Sequence, residues 1–227
     1  MGLPNQHVIS IDEKTGIQAL ERFTAQAPKS KGGHQRKEFE YIRHGTTTLI
    51  AANNVENGRI INHYMGPTRD ETVYADFVKQ TVGALPEMDK VIIVSDQLNT
   101  HVSESLVKWI AQEEDYQLDE LGLKGCYGIL KNEQTRKAFL EKPQHRIRFV
   151  YTPKHCSWLN PIENWFAKLQ RHVIANGNFS SVKELETKIE AYIAYYNPCL
   201  AKSLKWKFKG FSKVRKLFNS SMEKLIT

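Results

Sequence analysis

Cysteine is scarce. Cys126, Cys156 and Cys199 are odd in number and widely spaced, so no disulfide framework is implied. A metal site on His155, Cys156 and Cys199 would lack the Cys-x-x-Cys pair of common zinc sites, and simple buried or loop thiols are the plainer reading. No apolar run approaches the roughly 18 residues that mark a membrane span. The first residues lack the charged and apolar regions of a secretory signal. No internal repeat, low-complexity tract or linker divides the 227 residues. These absences disfavour secreted, membrane and repeat classes and leave one soluble, cytoplasmic globular domain of ordinary composition, 41% hydrophobic and 10% aromatic.

Acidic residues are nearly missing from one place. Residues 201–227 carry seven lysines and Arg215 against the single Glu223, whereas the first 200 residues balance 24 basic with 24 acidic side chains. Within this tail Lys205, Lys207 and Lys209 alternate with Trp206, Phe208 and, past Gly210, Phe211. Such interleaving suits a nucleic-acid backbone held by charge, with rings against bases. It also suits an element whose rings face a core and whose lysines are solvated.

The pattern along the chain predicts an α/β fold. Residues 7–11 read as a strand running into Asp12 and Glu13, with a turn at Lys14-Thr15-Gly16. Residues 21–38 are polar and contain Pro28 and Gly32-Gly33, which reads as an exposed loop whose Arg36 and Lys37 could meet DNA. Residues 39–42 and 46–53 look like strand around Arg43-His44-Gly45, and Glu56-Asn57-Gly58 is a hairpin signal before a return strand at 59–64. Asp70 caps a helix with Val73, Tyr74, Phe77 and Val78 on one face. Val91-Ile92-Ile93-Val94 is a strand buried on both faces, and a helix follows over 103–112. Residues 113–145 read as an insertion with a short helix near 132–141, placed before a last core strand at 147–151. Asn160 suits an N-cap, Pro161 the first helical position and Glu163 the third, with Trp165, Phe166 and Leu169 turned inward. Ser181 caps a final helix that ends at Asn197-Pro198. The order implies a mixed five-stranded sheet flanked by helices.

Carboxylates stand at three element ends: Asp12 after the first strand, Asp96 after the fourth, and Glu163 in the first turn beyond the fifth. If the first and fourth strands lie side by side and parallel, Asp12 and Asp96 meet, and the helix can lean Glu163 over them. Three such groups repel one another unless a divalent cation neutralises them, and hard oxygen donors suit Mg²⁺ or Mn²⁺. Two ions at such a site would serve attack on a phosphodiester. The plainer reading of Glu163 is a helix cap.

Four stretches, in this order, carry a resemblance: Ile11-Asp12-Glu13-Lys14-Thr15-Gly16; Tyr41-Ile42-Arg43-His44-Gly45-Thr46; Ser95-Asp96 through Leu98-Asn99-Thr100-His101; and Tyr151-Thr152-Pro153-Lys154-His155 through Ser157-Trp158-Leu159-Asn160-Pro161-Ile162-Glu163. Together they resemble the catalytic domain of DDE transposases with a ribonuclease-H-like fold, in the mariner-related branch of bacterial insertion sequences. The resemblance implies that Asp12, Asp96 and Glu163 are catalytic and hold two Mg²⁺ or Mn²⁺ ions. Strands would be cut at transposon ends, and the freed 3′-hydroxyl would attack target DNA. It also implies a homodimer on DNA in a bacterial, nucleoid-associated setting. The family's helix-turn-helix region is not seen here, so it is expected to be lost or supplied by a separate chain. Gln97 stands where the family usually has Asn, and the 113–145 insertion lengthens the Asp96–Glu163 interval.

Glu13 is expected to point away from Asp12 by strand alternation. Asn99, His101 and Asn160 are candidates for orienting the carboxylates, against the plainer reading of Asn99 as a turn residue and His101 as a surface group. Lys154, His155 and Trp158 are placed to touch DNA, with core packing the alternative for Trp158. Lys168 and Arg171 follow on the helix as DNA contacts or a solvated face; Arg43 and His44 match the family without an assigned role. Two other readings compete: a nuclease acting on RNA–DNA hybrids, and an inactive remnant that only binds DNA or a partner. Replacing Lys205, Lys207 and Lys209 together should flatten the salt dependence of DNA binding. An unchanged slope would assign the tail to packing.

Overall fold

The structure is a computed structural model, and it describes residues 6–22 and 40–204. Five strands form one mixed sheet in the order β3-β2-β1-β4-β5. They are β1 (Gln6–Arg22), β2 (Tyr41–Asn54), β3 (Ile60–Gly66), β4 (Lys90–Ser95) and β5 (Ile147–Tyr151). β1, β2 and β3 pair antiparallel, as short links permit, while β4 and β5 join parallel to β1 and to each other. The expected α/β order is the order observed.

Helices cover both faces. On one side lie α1 (Glu71–Gly83), α2 (Glu104–Glu113) and the shorter α3 (Glu133–Leu140), which bury Tyr74, Phe77, Leu106, Ile110 and Phe139 against Ile9, Ile11, Ile93 and Phe149. On the other lie α4 (Glu163–Leu169) and α5 (Val182–Cys199), which bury Trp165, Phe166, Leu185 and Ile189 against Ile17, Ala19, Leu49 and Ala51. Period-2 alternation along β1 therefore sends Ile9 and Ile11 to one layer and Ser10 and Asp12 towards the other. The segment read as an insertion contributes to the first layer: Leu121, Leu130, Phe139 and Leu140 are all buried in it, and Arg136 donates to the Val102 carbonyl at 2.7 Å. No helix among the described residues is long and apolar enough to cross a membrane.

One local expectation fails. Lys14-Thr15-Gly16 is not a turn between strands but a bulge inside β1, because the pairing skips from Lys14↔Leu49 to Ile17↔Thr47. Gly16 takes φ +64°, a conformation open to glycine at little cost, and the strand bends there without ending. β1 thus runs to Arg22 and builds a two-stranded arm with the outer part of β2.

The end of α5 is tied to the β2–β3 hairpin. Asn197 accepts from the Ile60 amide and donates to its carbonyl, both at 2.9 Å, so one side chain replaces a strand partner at the sheet edge. Asn197→Ala leaves that buried backbone pair unsatisfied and should cost about 2 kcal/mol in urea unfolding. A loss below about 0.5 kcal/mol would mean that water takes over both bonds.

Candidate active site

The parallel pairing of β1 and β4 sets the site. The register runs from Gln6↔Lys90 to Ser10↔Val94, and carried two residues further it brings Asp12 level with Asp96. Asp96 follows the carboxyl end of β4, whereas Asp12, expected after the first strand, lies inside the longer β1, two residues past its last pair with β4. Both thus stand where the parallel pairing stops, the edge at which open α/β sheets bind their ligands. Glu163 opens α4 just beyond β5.

Asp12 is buried, and Asn160 holds it. The Asn160 Nδ2 donates to Asp12 Oδ2 at 3.1 Å and to the Ile11 carbonyl at 2.9 Å. Its Oδ1 accepts from the Ser10 hydroxyl, and Ser10 Oγ accepts in turn from the Ile162 amide at 2.9 Å. The expected N-cap role of Asn160 is thus corrected: only its carbonyl serves the helix, accepting from the Glu163 amide at 3.1 Å, while its side chain turns into the sheet. The reason is competition, since Ser10 and Asp12 offer a donor and an acceptor that match the amide. Glu163 makes no hydrogen bond to the first-turn amides among the described residues, so the helix-cap reading gains no support.

Asp96 is held from the opposite face. His101 Nδ1 lies 2.7 Å from Asp96 Oδ1, and His101 Nε2 lies 2.9 Å from Glu13 Oε2. An acid thus stands beside each ring nitrogen, an arrangement that favours the imidazolium form. His101 is fully buried, which overturns the surface-histidine reading, and stacks on Tyr74 with centroids 4.2 Å apart. Glu13 does face away from Asp12, as alternation requires, and its side chain is only 1% exposed.

The charges respond to one another. Burial, then the Asp96 charge, pushes Asp12 up to about 7, against the pull of the Glu13 amide and His101. Burial also raises Glu163; Lys14 opposes this and Asp96 adds to it. Burial alone would raise Asp96 too, but the His101 hydrogen bond and charge hold it below the usual carboxylate range. Burial opposes the His101 charge, yet Asp96 and Glu13 raise it to about 10. Asp96 is thus the charge felt by both other carboxylates. Among the described residues no three His, Cys, Asp or Glu side chains are already drawn together at metal-ligand distance, the cysteines included.

A recess of about 250 Å³ opens beside Asp96, lined in part by Gln97, Thr152, Lys154, His155 and Ser157. Gln97 donates to the Thr152 carbonyl at 2.7 Å and so ties the β4 end to the β5 end, a reach Gln makes across the sheet. His155 sits at φ +62°, a strained conformation for a residue with a side chain, which fixes the path of this loop. Trp158 is 53% exposed on a short 3₁₀ turn, so core packing is not its role.

The other sequence candidates lie elsewhere. Arg43 and His44 are exposed on the arm, eight residues along β2 from the partner of Asp12 and so roughly 25 Å away. His44 is paired there with Glu21 at 2.7 Å. Lys168 lies over the Tyr196 ring at 5.3 Å, which ties α4 to α5, while Arg171 is exposed on a π-helical turn (Gln170–Ile174). Asn99 is exposed at the start of the 3₁₀ turn Asn99–Val102. Arg36, Lys37, Lys205, Lys207 and Lys209 fall outside the described residues. Sequence reasoning missed Ser10, Glu13 as the partner of His101, and Ser95, whose Oγ lies 2.9 Å from His101 Nδ1. The period of two, which puts Ser10 on the Asp12 face, was the one signal available.

Comparison with known proteins follows the same lines. The sequence family described as DDE superfamily endonuclease matches residues 7–186, and that described as integrase core domain matches residues 163–212. The fold is similar to that in a crystal structure of the Mos1 mariner paired end complex with Mn, with a TM-score of 0.54 and 14% identity over 88% of this chain and 50% of that chain. A crystal structure of a pre-cleavage Mos1 transpososome gives the same four figures. A Mos1 transposase paired-end complex with left transposon end matches at 0.52, with 14% identity and the same coverage. The chain thus spans about half the length of these proteins, and at such identity the likeness is one of fold. A search of curated proteins returns no match.

The Asp12 environment predicts a pH effect on the metal-free protein. Folded Asp12 keeps its proton to about 7, while the unfolded carboxyl loses it near 3.8, so the folded state binds more protons between these values. Its contribution to stability is full below the lower value and lost as pH rises through the upper one. With a chelator present, the urea midpoint should fall more steeply between about pH 4 and pH 7 for the wild type than for Asp12→Asn. Equal slopes would show that Asp12 ionises normally.

Proposed function

The chain belongs to the DDE superfamily of endonucleases, and from that premise we propose that it is the catalytic domain of a transposase. The reaction is cleavage of DNA strands at transposon ends and transfer of the resulting 3′-hydroxyl to target DNA. The observation that carries this reading is the pairing of β1 with β4, which sets Asp12 and Asp96 side by side where that pairing stops, with Glu163 in electrostatic range of Asp96.

Asp12, Asp96 and Glu163 are the residues that would hold divalent metal, two Mg²⁺ or Mn²⁺ ions per site. Their donor chemistry fits: three carboxylates supply hard oxygens, and the raised Asp12 and Glu163 reflect repulsion and burial that a cation would relieve. Bound metal supplies Lewis-acid activation of the attacking and leaving oxygens of a phosphodiester. The chain's own residues do the positioning. Asn160 fixes both the Asp12 side chain and the start of α4, so Asp12 and Glu163 keep one spacing. His101 engages Asp96 through Oδ1, and Asp96 lines the recess. Lys154 and His155, in the recess beside Asp96, are suited to hold the phosphate backbone next to the scissile bond. DNA is the substrate, and two copies acting on paired ends would form a homodimer, with a separate helix-turn-helix chain a candidate reader of the ends.

The test is nicking of supercoiled plasmid in Mg²⁺ or Mn²⁺, joined to calorimetric Mn²⁺ binding. Wild-type protein should nick only with metal. Asp96→Asn should lower the rate by at least about 10²-fold with folding and bulk DNA affinity unchanged, and Glu163→Gln should weaken Mn²⁺ binding. Full activity in Asp96→Asn would remove that residue from the mechanism. No nicking and equal, weak binding in both proteins would leave a fold without this chemistry.

A further inference from the structure

Glu13 is adjacent in sequence to a proposed catalytic residue yet buried on the other side of the sheet. We infer that it is a positioning residue for the reaction, acting through His101 on Asp96, an inference that rests on the catalytic reading of Asp96.

A carboxylate with a side chain 1% exposed is costly to bury, and an apolar residue of similar size would serve packing as well or better. Glu13 is therefore poorly explained as a core residue. Its Oε2 meets His101 Nε2 at 2.9 Å, and its Oε1 has no hydrogen-bond partner among the described residues. With Nε2 set against Glu13, Nδ1 is turned to the Asp96 side, 2.7 Å from Asp96 Oδ1 and 3.2 Å from the Asp96 carbonyl oxygen.

The ring has little freedom to do anything else. Tyr74 stacks on one face of it, and the His101 carbonyl accepts from the Tyr151 hydroxyl at 2.7 Å. Ser95 Oγ lies 2.9 Å from Nδ1 and 3.2 Å from the Tyr74 hydroxyl, which closes the cage. Asp96 Oδ1 also accepts from the Leu98 amide at 3.2 Å, so this oxygen is held twice over. Removing the Glu13 carboxylate removes the contact that sets the orientation of the ring at Nε2. The anchor of Asp96 then loosens although no residue in the cleft has changed.

The experiment uses protein labelled with ¹⁵N-histidine and compares wild type, Glu13→Gln and Glu13→Asp. Ring ¹⁵N–¹H spectra are recorded without metal, and Mn²⁺ isotherms and plasmid nicking are then measured. Wild type should show a hydrogen-bonded His101 Nε2–H resonance. Glu13→Gln should shift or remove it, weaken Mn²⁺ binding about 10- to 100-fold, and lower kcat for nicking by a similar factor with KM for DNA unchanged. Glu13→Asp keeps the charge but shortens the reach, and should fall between the two, which keeps the test available if Gln is not accommodated. A wild-type ring spectrum and wild-type Mn²⁺ affinity in both variants would overturn the inference while leaving the catalytic reading intact. Failure of the wild type itself to bind Mn²⁺ and to nick would overturn both.

Discussion

Two carboxylates set side by side on neighbouring parallel strands repel each other, and partial burial strengthens that repulsion because less water is there to screen it. Much of the structure around Asp12 and Asp96 is an answer to this one constraint. The two are not held from the same side. Asn160 reaches Asp12 from the α4–α5 layer, and His101 reaches Asp96 from the α1–α2 layer, so each acid is fixed by a donor that cannot reach the other's place. The sheet serves as the partition between two hydrogen-bond systems.

The asymmetry of those systems follows from their chemistry. On the Asn160 side all partners are neutral, and Asp12 keeps a strong tendency to hold its proton. On the His101 side the ring lies between two acids, and its hydrogen bond and charge hold Asp96 below the usual carboxylate range. One aspartate is thus pushed up and the other drawn down. A pair separated in this way is what environment, rather than residue type, can make of two aspartates. The helices contribute through placement: α4 begins where Ser10 and Asn160 lock its first turn, and the segment between α2 and β5 packs beneath the first layer, away from that lock.

Much of this was legible in the sequence, and the limits are physical. The continuous apolar run 91–94 announced a strand buried on both faces, and the strand it became lies beside β1 with the required parallel sense. Asp70 and Ser181 cap the helices as their residue types suggest, because each has a free amide within reach and no stronger partner. Asn160 has the same signature but a different outcome, since tertiary partners outbid the local cap. Gly16 signals a left-handed residue without saying whether the chain turns back or only bends; the pairing partner decides that, and it lies some 30 residues on in β2. His101 illustrates the converse. Its burial depends on Tyr74, Tyr151 and Glu13, which come from three distant segments, so no window around residue 101 could reveal it.

The link between Ser10 and Asn160 joins residues 150 positions apart. Contacts of such separation are late and slow to form, because the chain must close a long loop before any energy is returned. During synthesis the first strand emerges well before the segment that will secure its aspartate. A nascent chain can therefore pair its early strands and still lack an assembled acidic centre. The support of Asp12 is thus completed only by this later chain, and a product ending before Asn160 would hold that carboxylate without it.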